Sequence, residues 1–238
     1  MRKRLFTFLV LSMMIVASIG IAVPVSASGE HVIKEKVFIT YGTGEGAGTE
    51  NYDRWDYSGI HWHDGVRTNG VPTTGIKYYV NPSGTTVGAI AAVKAAFETW
   101  DCQTGVELFG TVGLISKVAG NKYDGKNVVS WGVLRVGVVA MATIWYWSDT
   151  LEIVEFGIVF NKLYAWGIDP DGEGPTTINA FDVQNVATHE AGHTLSLNDL
   201  YMNGASELTM YGYTSIGETK KQILGLGDIH GVQYIYGA

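Results

Sequence analysis

His189-Glu190-Ala191-Gly192-His193-Thr194-Leu195-Ser196-Leu197-Asn198-Asp199 is the stretch from which the rest of the chain can be read. On a helix, residues four apart share a face, so His189 and His193 present two imidazoles to one point. Glu190 is offset from His189 by about 100° and stands beside that point without competing for it. Two imidazoles flanking a carboxylate in this spacing suit a zinc ion that works with its own base. Asp199, six residues past His193, offers an oxygen as third ligand if the helix stops between them and the backbone turns sharply after Leu195. Asn198 is the rival for that place. Zinc held by three protein ligands keeps an open position for water, whose pKa falls to about 7 on the metal, beside Glu190 as proton acceptor. The plain alternative is a solvated helix with two ordinary histidines, so the weight falls on the surroundings.

Those surroundings read as a layered α/β arrangement. Asp182 is a fitting cap for the motif helix. Ile76 to Val80 reads as a strand ended by Asn81-Pro82. Thr86 to Asp101 follows as a helix, with Ile90, Val93, Phe97 and Trp100 at helical spacing and alanines between them. Short strands are expected at Val106–Phe109, Val112–Ile115 and Asn127–Trp131. Longer ones at Val138–Tyr146 and Ile153–Phe160 are expected as sheet neighbours across Asp149-Thr150. A last helix is expected from Asp228, as its cap, to Tyr236. Residues 28–74 show only one strand candidate, Val32–Tyr41, a glycine-rich loop, and an aromatic stretch without a clear period.

At this point the residues resemble a family. HEAGHTLSLND is similar to the extended zinc motif of the metzincins, HExxHxxGxxH, in the variant with Asp last. Met210, in Glu207-Leu208-Thr209-Met210-Tyr211, looks like the methionine that lies beneath the metal in that clan, a support residue and not a ligand. Tyr78–Asn81 and the helix ending Ala96-Phe97-Glu98-Thr99-Trp100 resemble the first strand and helix of matrixin-type catalytic domains. Glu155–Asn161 resembles their edge strand, which in the family pairs with extended substrate, and Gly227–Gly237 resembles their closing helix. The resemblance covers roughly residues 76–238.

It implies an α/β (α+β layered) metzincin-like catalytic domain with a twisted mixed sheet, two long helices and a short C-terminal helix. It implies a secreted zinc endopeptidase, with one catalytic zinc on His189, His193 and Asp199, Glu190 as general base, Met210 in support, and polypeptide as substrate. Ser196 stands where the family has glycine, so either Ser196 is strained or the turn is built differently. A non-catalytic extracellular binding protein on the same scaffold is the alternative, and hydrolysis of a non-peptide amide a third.

The remaining composition sets the compartment. Arg2, Lys3 and Arg4 precede an apolar run and a small-residue end at Ala27, the pattern of a secretory signal over residues 1–27; an uncleaved membrane anchor is the alternative. After cleavage no stable membrane association is expected. Residues 28–74 are read as an N-terminal segment or short propeptide and 75–238 as the protease domain. The net charge of −7 argues against nucleic acid as a partner. Cys102, the single cysteine, reads as a packed thiol and excludes an internal disulfide. Asp169, Asp171 and Glu173 offer oxygens to a calcium ion without the full loop pattern. His61 and His63 share a strand face, as a surface pair or a second metal site.

Overall fold

Two ten-residue strands rich in β-branched and aromatic residues, Val138–Trp147 (β6) and Glu152–Asn161 (β7), form an antiparallel hairpin at the centre of the sheet. The computed structural model describes residues 31–42, 53–62, 75–171, 174, 175, 177, 179–202 and 204–238. The expected leader, His63 and Glu173 lie outside these. Around the hairpin are Ile33–Gly42 (β1), His61–Trp62 (β2), Ile76–Val80 (β3), Phe109–Leu114 (β4), Val128–Gly132 (β5) and Tyr213–Thr214 (β10). The eight strands make one mixed sheet in the order β10-β1-β6-β7-β5-β3-β4, with β2 also on β7. Trp166–Gly167 (β8) and Phe181–Asp182 (β9) form a separate parallel pair. With helices Ala89–Asp101 (α1), Val183–Thr194 (α2) and Leu226–Tyr236 (α3), the chain is a mixed α/β protein.

β7 is buried along nearly its whole length, which explains why it reads as a continuous apolar run. Phe156 of β7 meets Phe97 of α1, which stacks on Tyr78 of β3 at 4.4 Å. The ring of Trp100, fully buried, ties α1 to the motif helix by donating from Nε1 to the Thr188 carbonyl at 2.8 Å. Among the described residues no helix is long and apolar enough to cross a membrane.

Several expectations shift. Glu155–Asn161 is not an edge: β7 has β6 on one side and β5 and β2 on the other. The two short strands expected over 106–115 are one, β4. The strand candidate Val32–Tyr41 is present as β1, which joins the sheet by running antiparallel to β6 from Ile33 to Tyr41. Cys102 is exposed, as it lies just past the end of α1. The cap of α3 is Gly225, and Asp228 sits three residues in, its carboxylate accepting the Gly225 N–H at 2.9 Å.

The motif helix begins and ends through local chemistry. The Asp182 side chain accepts the Asn185 N–H at 2.6 Å, a helix N-cap. At the other end Ser196 N–H donates to His193 O at 3.0 Å and Leu197 N–H to Gly192 O at 3.1 Å. That pair of bonds is the Schellman termination, which needs a left-handed residue between them. Ser196 takes that conformation, with φ 78°. A serine thus makes the left-handed turn, and its Cβ bears the strain. Ser196→Gly is expected to raise stability by about 0.5–1 kcal/mol, roughly 1–4 °C in thermal midpoint; a lowered midpoint in a melting experiment would refute this account of the turn.

Candidate metal centre

The two histidines of α2 are fully buried, and each is fixed through its Nδ1. His189 Nδ1 donates to the Thr209 carbonyl at 2.6 Å and His193 Nδ1 to the Leu197 carbonyl at 2.8 Å. Carbonyl oxygens only accept, so these bonds put the hydrogen on Nδ1 and turn the Nε2 lone pairs inward. The two Nε2 atoms lie 3.1 Å apart. The Schellman turn then returns the chain so that Asp199 Oδ1 stands 3.2 Å from one and 3.4 Å from the other. His189, His193 and Asp199 are the one group among the described residues whose ligand atoms cluster for a metal ion.

Three electron-rich atoms held this close repel one another unless a positive charge lies among them. Burial disfavours that charge on an imidazole and takes His189 down to about 4. At His193 burial acts the same way, but the Asp199 and Glu190 carboxylates outweigh it and the pKa rises. Burial opposes ionisation of Asp199 too, yet the two imidazoles hold its carboxyl well below the ordinary range. Asp199 Oδ1 is a buried oxygen that makes no hydrogen bond. A divalent cation resolves these demands together. Ligand atoms about 2.0–2.2 Å from a tetrahedral zinc are separated by roughly 3.3–3.6 Å, close to the triangle seen here. The residues fit zinc.

Asn198, the rival for third ligand, turns away. Its side chain donates to Asp56 at 2.8 Å and accepts from Lys36 Nζ at 3.0 Å. Glu190 is fully buried beside the triad; its Oε1 accepts from Thr40 Oγ1 at 2.7 Å, while Oε2 has no hydrogen-bond partner. Burial lifts its pKa to about 7.

Met210 lies under the helix with almost no exposure. A Cβ on Gly192 would come within 2.2 Å of Met210 Sδ and 2.7 Å of the Trp100 ring, so the glycine inside the motif is what lets methionine and indole close on α2. Behind Met210, Asp228 accepts from Thr209 N–H at 2.8 Å and Met210 N–H at 3.1 Å. The same Thr209 peptide receives the His189 proton, so Asp228 orients His189 through one residue of backbone. Lys221, fully buried, donates from Nζ to the carbonyls of Tyr211 and Tyr213 and from its backbone N–H to Asn185 Oδ1 at 2.8 Å. Desolvation pulls its pKa to about 8.

Sequence reading missed Thr40, Phe38, Lys221 and the clamp made by Asp228. Only Asp228 carried a signal, as a helix-start acid. Tyr201 was missed as well; burial and the nearby Asp199 carboxylate push its phenol well above the usual value. Of the other candidates, Asp169 is buried and Asp171 exposed, in a loop only partly described. His61 pairs within β2 against β7. His230 meets Asp53.

No protein-family model matches this chain, and no curated protein does.

Two outcomes are expected. Zinc should bind at one ion per chain by metal analysis, raising the melting temperature, with His193→Ala abolishing both; stoichiometric zinc retained in that variant would rule out this triad. Asp228→Asn, which sets an amide NH2 against backbone N–H groups, should weaken zinc binding about 10–100-fold in competition with a chelating dye. Unchanged affinity would detach Asp228 from the centre.

Proposed function

We propose that this chain is an exported zinc-dependent endopeptidase of the matrixin-like, metzincin kind. The observation that carries the reading is the convergence of His189 Nε2, His193 Nε2 and Asp199 Oδ1 with a buried glutamate standing beside them. The resemblance of the HEAGHTLSLND motif and of Met210 adds to it, as does the Schellman turn at Ser196, which brings Asp199 back to the imidazoles. Export rests on the signal pattern of residues 1–27 alone.

When bound, zinc supplies Lewis acidity toward the carbonyl under attack and makes water a stronger acid. The chain's residues do the rest. His189 and His193 are locked in the tautomer that offers Nε2. Asp199 brings one negative charge, which would offset half of the cation's. Glu190 handles the proton: one oxygen is held by Thr40, the other is free to accept from water and later to return the proton to the leaving amine. A carboxyl whose pKa burial has brought near neutrality is suited to both directions of transfer. Met210 and Trp100 pack the floor and keep α2 from shifting as charge moves.

A second reading, a non-catalytic extracellular binding protein on the same scaffold, has one observation in its favour: Glu190 and both imidazoles are wholly shielded from solvent. Zinc-loaded protein that turns over no member of a broad peptide library even with β1 released from the sheet would favour it.

Glu190→Gln preserves shape and loses the base. Casein hydrolysis should fall by about 10²–10⁴-fold while zinc content stays at the wild-type level. Hydrolysis persisting in this variant would rule out the assigned chemistry.

A further inference from the structure

β1 lies against the centre and covers part of it. Its inward-facing residues, two apart in sequence as a strand requires, engage the site one after another. Lys36 Nζ donates to Asn198 Oδ1 at 3.0 Å. The Phe38 ring stacks on the His193 imidazole, with centroids 4.1 Å apart and planes 10° from parallel. Thr40 Oγ1 donates to Glu190 Oε1 at 2.7 Å. The outward face is open, with Val37 45% exposed. Both edges of β1 are paired: antiparallel with β6 along Ile33–Tyr41, and parallel with β10 at Tyr41 and Gly42. The β6 ladder slips register between Thr40 and Tyr41, directly after the residue that reaches Glu190.

Phe38 also belongs to the hydrophobic core, so β1 is packed as a structural strand is. Beyond that packing, its inward face meets a ligand imidazole and the proton-handling carboxylate, the groups that a reaction needs uncovered. Without β1, the length of β6 and the short β10 would present unpaired backbone N–H and C=O groups on either side of the triad. Such a gap accepts an extended polypeptide by strand addition.

We propose that residues Ile33–Gly42 are a resident self-ligand of the site. They fill the groove between β6 and β10, and the full chain is latent until this strand is displaced or removed. The groove then takes an extended polypeptide running as β1 runs, antiparallel to β6 and parallel to β10. A flat or apolar side chain fits over His193 and a small hydroxyl-bearing one beside Glu190. Because β1 is tethered, it competes at an effective concentration on the order of millimolar, so a free peptide enters poorly while it is in place. The latency, though not the groove, rests on the peptidase reading.

The test uses the full chain with Cys102→Ser, so that no other thiol interferes. Ile39 and Met141 are direct cross-strand partners, and Ile39→Cys with Met141→Cys sets up a disulfide that locks β1 onto β6 reversibly. A second variant, Lys36→Pro with Val37→Pro, removes two successive N–H groups from the strand and leaves Phe38 and Thr40 unchanged. Two signals are read: casein hydrolysis, and fluorescence anisotropy of a labelled synthetic peptide with the sequence of residues 33–42. The oxidised lock should hydrolyse casein at least about tenfold more slowly than its reduced form and should not bind the peptide. The proline variant should exceed the unaltered chain in both signals.

Equal hydrolysis by locked, reduced and proline forms would overturn the inference and leave the peptidase reading standing. Peptide binding that switches with the lock while no form cleaves casein would sustain the groove and defeat the peptidase reading. Absence of peptide binding in every form would overturn the inference.

Discussion

Three unshared electron pairs pointed at one another inside a protein are the constraint on which this structure turns. His189 and His193 are each held by a backbone carbonyl on the far side of the ring, and Asp199 is returned to them by a left-handed turn. None of the three can relax without breaking a buried hydrogen bond or the end of α2. The repulsion is thus built into the backbone, and a cation is the natural partner for it.

Much of the surrounding fold serves to keep those carbonyls where they are. Thr209 receives the His189 proton, and Thr209 and Met210 are in turn gripped by Asp228 from α3. Leu197 receives the His193 proton while closing the Schellman bonds. Lys221 ties the Tyr211–Tyr213 segment, and Trp100 reaches from α1 to the middle of α2. Gly192 is the permissive element: with a side chain there, neither Met210 nor Trp100 could approach. Rigidity at the centre comes from several elements that are far apart in sequence and meet on one twelve-residue helix.

β1 changes the picture of the N-terminal region. By composition, residues 28–74 are irregular, and a domain start near Gly75 is the economical reading. In the fold, Ile33–Gly42 is a long strand bonded on both edges and aimed at the functional residues. Periodicity in its sequence is faint because only Phe38 of its inward positions is apolar and packs in the core, while Lys36 and Thr40 meet polar partners. Contacts with polar partners also hid Lys221, whose ammonium is buried while donating to two backbone carbonyls, those of Tyr211 and Tyr213.

What the sequence determined by itself is local: the helix carrying the motif, its Asp182 cap, the shared face of His189 and His193, the paired strands β6 and β7, and the first strand and helix. These follow from spacing along a few turns of chain, where near neighbours dominate the energetics. Tertiary structure alone decided that Asp199 and not Asn198 faces the imidazoles, that Ser196 accepts the left-handed conformation, that β7 is interior, and that β1 lies across the centre. Each depends on contacts between segments far apart in the chain, and side-chain spacing carries no information about which distant backbone will supply the matching hydrogen bond.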